Sequence, residues 1–464
     1  MVWMTLDRTL PTTLTRQVFN QLQTKIFSGE LVAGSPLPST RQLAGHLHVS
    51  RNVILEAYDQ LMAEGYLESK QGSGTYVAEG LLLEQSSIPE QSILTEESIS
   101  KSSNENQISF RSGIPALDLF PRKIWSQLTQ QVLVEAPSDS FGYGSPEGRY
   151  ELRSAIAQYV LRTRGVRCEP NQLVITSGAT QGITLVAKLL VKPGEDFMIE
   201  DPITNDIQTI FRSHGANLVP LPVDEHGIDT SLMTQGHHHG SVYVTPSHQY
   251  PLGAVLPIQR KVQLIENARQ TGNYIIEDDY DSEFRYEGSP IRSLQGLDPN
   301  VVIYLGTFSK ILSPALRIGY MVLPRPLIEQ CRSLKWFSDL HTPSMEQLTL
   351  ARFIEERHLE RHIHRMKKVY KQRRDIVKQT LKSHFGEEVR VTGDTTGLHL
   401  IAEFKHIRFT EEVLDRIHHA DVLLQPVEMH ANRKGNHVHR IILGFGHLSS
   451  AEIEEGIRRL RSIL

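Results

Sequence analysis

Cysteine is almost missing from this chain of 464 residues. Cys168 and Cys331 are the only two, so no disulfide framework is available, and a reducing compartment is expected. No run of about 18 apolar residues occurs, which excludes an ordinary membrane-spanning helix. Met1 to Leu10 lacks the apolar centre of a secretory signal. A soluble, cytoplasmic protein without a membrane partner is the expectation. Neither charge dominates: 49 Lys and Arg stand against 53 Asp and Glu. No polybasic tail therefore advertises nucleic acid or lipid, although balanced bulk charge leaves a local DNA contact open. At roughly 150 residues per domain, the length predicts more than one domain.

The first patterned block runs from about Leu14 to Val77. Val18, Leu22 and Ile26 recur at four-residue spacing on one helical face, stopped by Ser28-Gly29. Ser39 and Gln42 have the spacing of a capping box at the start of a second helix. Ser50 is placed as the N-cap of a third, with Val49 and Ile54 as a hydrophobic staple and Ile54, Ala57, Tyr58 and Leu61 as its buried stripe. Two short helices joined by a tight turn predict a helix-turn-helix, the second opening on Ser50-Arg51-Asn52. Tyr66 to Val77 reads as two strands around Gly72-Ser73-Gly74, a wing. Arg41 and Arg51 fall in first helical turns, where the dipole also favours phosphate. Arg51 or Asn52 is placed to read a base edge. Taken singly, each arginine has the ordinary reading of a solvated surface charge. DNA binding further requires Glu56, Asp59, Glu64 and Glu68 to face away from the phosphates.

From about Glu79 to Gln107 the chain turns Ser-, Glu-, Gln- and Asn-rich, as in Ser98-Ile99-Ser100-Lys101-Ser102-Ser103-Asn104, predicting a flexible tether. Beyond it, strand-like runs alternate with helical ones, as βαβ units require. Leu173 to Thr176 ends in Ser177-Gly178 before a helix beginning Ala179-Thr180, an arrangement that offers free N–H groups to phosphate. Asn273 to Asp281 is a second strand whose alternation sends Asp278 and Tyr280 one way and Asp279 the other. A carboxylate and a phenol near a lysine suit a pyridine cofactor. Val301 to Leu305 is a third strand, followed by Thr307, Ser309, Lys310 and Arg317. A buried lysine with a lowered pKa serves Schiff-base chemistry, and the flanking hydroxyls and arginine suit a phosphate. Each strand end alone also reads as a connection, a turn cap or a snorkelling lysine. His237-His238-His239 between glycines reads as a solvated loop, so no metal site is expected. Glu355 through Arg374 reads as a charged helix face.

The motifs Ser28-Gly29-Glu30-Leu31, Leu37-Pro38-Ser39, Val49-Ser50-Arg51-Asn52, Glu64-Gly65-Tyr66-Leu67 and Gly72-Ser73-Gly74-Thr75-Tyr76-Val77 resemble the winged helix-turn-helix of the GntR family. By that resemblance Arg41, Ser50, Arg51, Asn52, Lys70 and Gly72 contact a double-stranded DNA operator, read by a dimer on two half-sites. The three strand ends resemble the fold-type I aminotransferases that use pyridoxal 5′-phosphate, as do Tyr143-Gly144-Ser145-Pro146-Glu147-Gly148 and Thr245 to Gly253. That resemblance implies Lys310 as the Schiff-base lysine, Asp278 as partner of the ring nitrogen and Tyr280 as donor to the 3-oxygen. It makes Ala179, Thr180, Thr307 and Arg317 phosphate ligands, and Tyr143 a ligand to the neighbouring subunit's phosphate. Tyr250 stands where the enzymes often carry the asparagine that bonds the 3-oxygen.

The fusion resembles the MocR/GabR-type regulators, which implies a head-to-tail homodimer sensing a small amine, an amino acid or the cofactor itself. The expected fold is multidomain: a small α/β winged helix-turn-helix at 11–78, a linker at 79–107, and at 108–464 a large α/β domain with a mostly parallel sheet. Two departures bear on the effector. Asp201 to Asp206 lacks both a tyrosine at 204 and a nearby arginine, which disfavours a GABA sensor. The enzymes' carboxylate-clamping arginine falls on Ile442, with Arg440 two residues earlier on the same strand face as substitute. Three readings follow: a regulator without net catalysis, a working aminotransferase carrying a DNA module, and a regulator with a vestigial cofactor fold.

Overall fold

The computed structural model describes residues 4–70, 72–80, 106–235 and 240–464, which form two compact units on either side of the expected linker. Residues 81–105 of the linker expected at 79–107, and His237-His238-His239, lie outside the described residues.

In the small unit, α1 (Leu14–Phe27), α2 (Thr40–Leu47) and α3 (Arg51–Ala63) precede a hairpin of β1 (Leu67–Lys70) and β2 (Gly74–Val77). Thr13 caps α1, and Ser39 with Gln42 forms a reciprocal capping box on α2. Ser50 occupies the N-cap position of α3, yet its side chain makes no capping bond. Val18, Leu22, Ile54, Ala57 and Leu61 are buried with Leu67 and Val77 of the hairpin. Each of the Val, Leu and Ile side chains contributes roughly 1.5–3 kcal/mol by leaving water.

In the large unit the strands are β3 (Ile108–Ser109), β4 (Leu173–Thr176), β5 (Asp196–Asp201), β6 (Asn217–Asp224), β7 (Gly227–Ile228), β8 (Val242–Val244), β9 (Ile275–Asp279), β10 (Val302–Thr307), β11 (Gly319–Val322), β12 (Val389–Thr392), β13 (His399–Phe404), β14 (Val422–Leu423), β15 (Gln425–Pro426) and β16 (Arg440–Gly444). The helices are α4 (Arg122–Glu135), α5 (Tyr150–Arg164), α6 (Ala179–Leu190), α7 (Asn205–Ser213), α8 (Ser231–Gln235), α9 (Ile258–Thr271), α10 (Ile328–Asp339), α11 (Ser344–Glu355), α12 (His358–Phe385), α13 (Glu411–His419) and α14 (Ser450–Ile463).

An eight-stranded sheet in the order β4-β11-β10-β9-β8-β5-β6-β7 forms the core. β10, β9, β8, β5 and β6 are parallel, whereas β11 and β7 run against their neighbours. Successive side chains serve opposite faces: Val174, Ile303, Leu305 and Met321 pack on one side, and Leu173, Ile175, Tyr304 and Tyr320 on the other. Both faces are therefore apolar, as a sheet covered by helices on each side requires. β12, β13, β16 and β15 form a smaller antiparallel sheet whose core includes residues of α12 and α14. β4, β9 and β10 end on the same edge of the large sheet, where α/β proteins bind ligands.

Candidate cofactor and effector site

At that edge lies a cavity of about 490 Å³ lined by Ala179, Thr180, Tyr250, Asp278, Tyr280, Thr307, Lys310 and Arg317. Three turns build its floor. The first is the β4–α6 turn. Gly178 adopts φ 86° and caps α6 without any side-chain bond, so the first N–H groups of the helix stay available. A Cβ at Gly178 would sit 3.0 Å from the guanidinium of Arg317. Arg317 donates to the carbonyl of Ser177 (2.8 Å) and thereby stays against this turn.

The second turn follows β9. Oδ2 of Asp278 accepts from the hydroxyl of Tyr243, while Oδ1 is buried without a partner. Burial pushes its carboxyl up to about 6. Asp279, on the opposite face, receives bonds from Arg164 (2.6 Å) and Tyr304 (2.6 Å) and is structural. Tyr280 lines the cavity, with its hydroxyl donating to the carbonyl of His248 (2.8 Å). The third turn follows β10. Thr307 and Ser309 bond through their hydroxyls (3.1 Å), and Nζ of Lys310 donates to the carbonyl of Gly113 (2.7 Å). Burial lowers the pKa of Lys310, as does the charge of Arg111, while the Asp281 and Asp278 carboxylates oppose the shift. Gly113 takes φ 73°, a conformation that favours glycine, and a Cβ there would come within 2.8 Å of Nζ.

Tyr143 does not line this cavity. Its side chain is 82% exposed, with the ring edge against His341. Arg440 is a correction to the sequence expectation. Both its Nε and Nη2 lie 3.0 Å from Glu403 across the β13–β16 pair, and it is not among the lining residues. A carboxylate directly across the ladder captures it, and Ile442 is wholly buried.

Sequence reasoning missed the remaining wall. Arg111 and Ser112 reach the cavity from the segment after β3, and Ser112 bonds the hydroxyl of Tyr250 (3.0 Å). His430 also lines it, with both ring nitrogens buried and unpartnered and its pKa pushed down by burial to about 4. Asp281 and His399 also line the cavity: His248 bonds the Asp281 carboxylate (3.0 Å), and Nε2 of His399 donates to the carbonyl of Pro251 (2.9 Å). Among the described residues these three side chains bring ligand-type atoms within 4.8 Å of one another. The run Asp279-Tyr280-Asp281 was the one available signal for this cluster.

On the small unit Arg41, Ser50, Arg51, Asn52, Lys70 and Gly72 are all exposed. Nε of Arg51 bonds the hydroxyl of Thr40 (3.2 Å), tying the start of α3 to the start of α2. Gly72 turns the hairpin with φ 79°. Glu68 pairs with Lys70 at 3.1 Å, because alternate residues of a strand share a face.

The GntR family of bacterial regulatory proteins matches residues 14–77, and the family of class I and II aminotransferases matches residues 105–459. The chain is 35% identical over 461 residues to an uncharacterized HTH-type transcriptional regulator of Bacillus subtilis, YdeL, covering 98% of each chain. It is 32% identical to the probable rhizopine catabolism regulatory protein MocR of Rhizobium meliloti, over 98% of this chain and 95% of that one. The kynurenine aminotransferase of Pyrococcus horikoshii superposes with a TM-score of 0.72 at 27% identity, over 79% of this chain and 93% of that one. This chain belongs to the MocR-type transcriptional regulators, in which a GntR helix-turn-helix DNA-binding domain is fused to an aminotransferase-like domain.

Proposed function

We propose that the large unit is the sensing half of this regulator, that it holds pyridoxal 5′-phosphate at Lys310, and that a small primary amine is its effector. The observation that carries the reading is Oδ1 of Asp278, buried and unpartnered in the cavity that also holds Lys310. An unmet buried acceptor is costly, and a protonated pyridine nitrogen is a group that satisfies it. The residues at the other turns suit the same group. The open N-terminus of α6, Thr307 and Arg317 are the donors a phosphate needs, and Tyr250 and Tyr280 offer phenols to a ring oxygen. Bound there, pyridoxal phosphate supplies an aldehyde that condenses reversibly with amines.

The protein's part is to lower the pKa of the Lys310 amine by burial and to present the Asp278 carboxyl to the ring nitrogen. Arg111 is the cation left for an effector's acidic group, since Arg440 is committed to Glu403. Lacking a clamp on β16, the site favours sensing over turnover. An effector acts on DNA binding by preferring one state of a head-to-tail dimer, to which Tyr143 is offered as the contact with the neighbouring site. Replacing Lys310 with Ala tests the reading: visible cofactor absorbance and amine-responsive expression are both expected to vanish, and survival of both would overturn it.

A further inference from the structure

Lys335 lies in α10 with none of its side chain exposed. An ammonium taken out of water needs a strong reason, because desolvation is costly unless the charge is paired. Its partner is Asp339, four residues on, with the hydroxyl of Thr342 as a further acceptor at 3.3 Å. Helix stability does not explain the pair. A lysine four residues before an acid is the weaker order on a helix, and Asp339 is the last residue of α10, where the helix dipole disfavours a carboxylate.

The explanation lies on the other side of Asp339. Its Oδ2 accepts from Nε2 of Gln181 (2.8 Å) and from the hydroxyl of Ser177 (3.2 Å). Gln181 returns its Oε1 to the backbone N–H of Ser177 (2.7 Å), whose carbonyl takes the guanidinium of Arg317 (2.8 Å). Ser177 is thereby held at its N–H, its carbonyl and its hydroxyl, immediately before Gly178 and the open end of α6. We infer that Lys335 and Asp339 are a positioning pair for the anion-binding turn: Asp339 fixes Ser177 and Gln181, and Lys335 cancels the negative charge that this brace places beside a bound phosphate. The inference rests on the cofactor reading above and adds two residues that do not line the cavity.

The charge argument predicts a signed pattern. Lys335→Met leaves the Asp339 carboxylate uncompensated next to the phosphate. Lys335→Met combined with Asp339→Asn removes both charges and retains an amide able to reach the same partners. The test titrates the full-length protein, freed of cofactor, with pyridoxal phosphate and separately with pyridoxal, which lacks the phosphate, and follows absorbance. The ratio of the two affinities reads the phosphate turn alone, since a general folding defect moves both ligands. Lys335→Met is expected to lower the ratio about 10-fold, the scale of one partly screened like charge near the phosphate, and the double variant to recover most of it. An unchanged ratio in Lys335→Met, or no recovery in the double variant, would overturn the inference. Should Lys335→Met fail to fold, Asp339→Asn alone decides. It is expected not to lower the ratio, and a 10-fold fall would count against the charge role. The cofactor reading is judged independently, by the spectrum of the unsubstituted protein on adding pyridoxal phosphate.

Discussion

The two halves of the cavity are built in different ways. The half proposed to hold the cofactor comes from the ends of β4, β9 and β10, and its groups sit on sheet edges braced from behind: Asp278 by Tyr243, Ser177 by Gln181 and Asp339. The half proposed to take the effector is assembled from Arg111 and Ser112, the start of α7 and His430, segments widely separated in sequence. A half held by a sheet suits one invariant ligand, while a half made of connections can change its lining without disturbing the core. The proposed cofactor cradle and the proposed effector contacts thus rest on differently built parts of one cavity.

Substitutions can break that division, and the largest effect is expected at the cofactor half. Asp278→Asn removes the ring-nitrogen partner and should weaken retention of pyridoxal phosphate by roughly 10- to 100-fold, measured by dialysis and absorbance. The same residue sets a pH dependence. Its carboxyl titrates near 6, so it is mostly anionic at pH 7 and becomes neutral as pH falls through 6. Cofactor retention should decline across that interval in the unsubstituted protein and stay flat there in Asp278→Asn.

A smaller effect is expected at the effector half. Arg111→Gln should raise the amine concentration needed for a spectral response by about 10-fold, the scale of one charge-assisted hydrogen bond, without changing cofactor absorbance. Arg440→Gln should leave the response unaltered. A loss of cofactor in Arg111→Gln would show that the two halves are not independent. The smallest effect belongs to the small unit: Arg41→Ala should weaken DNA binding evenly across sequences and reduce the salt slope by about 1, read from affinities at several salt concentrations.

The same division governs what could be read from the chain itself. Strand ends announce themselves, because an apolar run followed by Ser177-Gly178, Asp278 or Lys310 breaks the pattern locally. Their direction also follows from alternation, which separates Asp278 from Asp279. Arg440 misled because its face and spacing were right, while the cross-strand Glu403 that captures it is 37 residues away in sequence. Arg111 carries no local signal at all. Its place depends on β3 pairing with β14, more than 300 residues later, a contact made by two residues of each strand. Ser50 shows a finer limit: its position at the N-cap was legible, but not that its hydroxyl leaves the capping bond unmade.

The central claim is that events at Lys310 are what the DNA-binding half reports. It is tested most directly by measuring the affinity of the purified protein for a DNA fragment selected from a random pool, across a titration of amines, in the unsubstituted protein and in Lys310→Ala. The account predicts that affinity shifts in the unsubstituted protein at the amine concentrations that change its visible spectrum, and does not shift in Lys310→Ala. An equal shift in both proteins would contradict it.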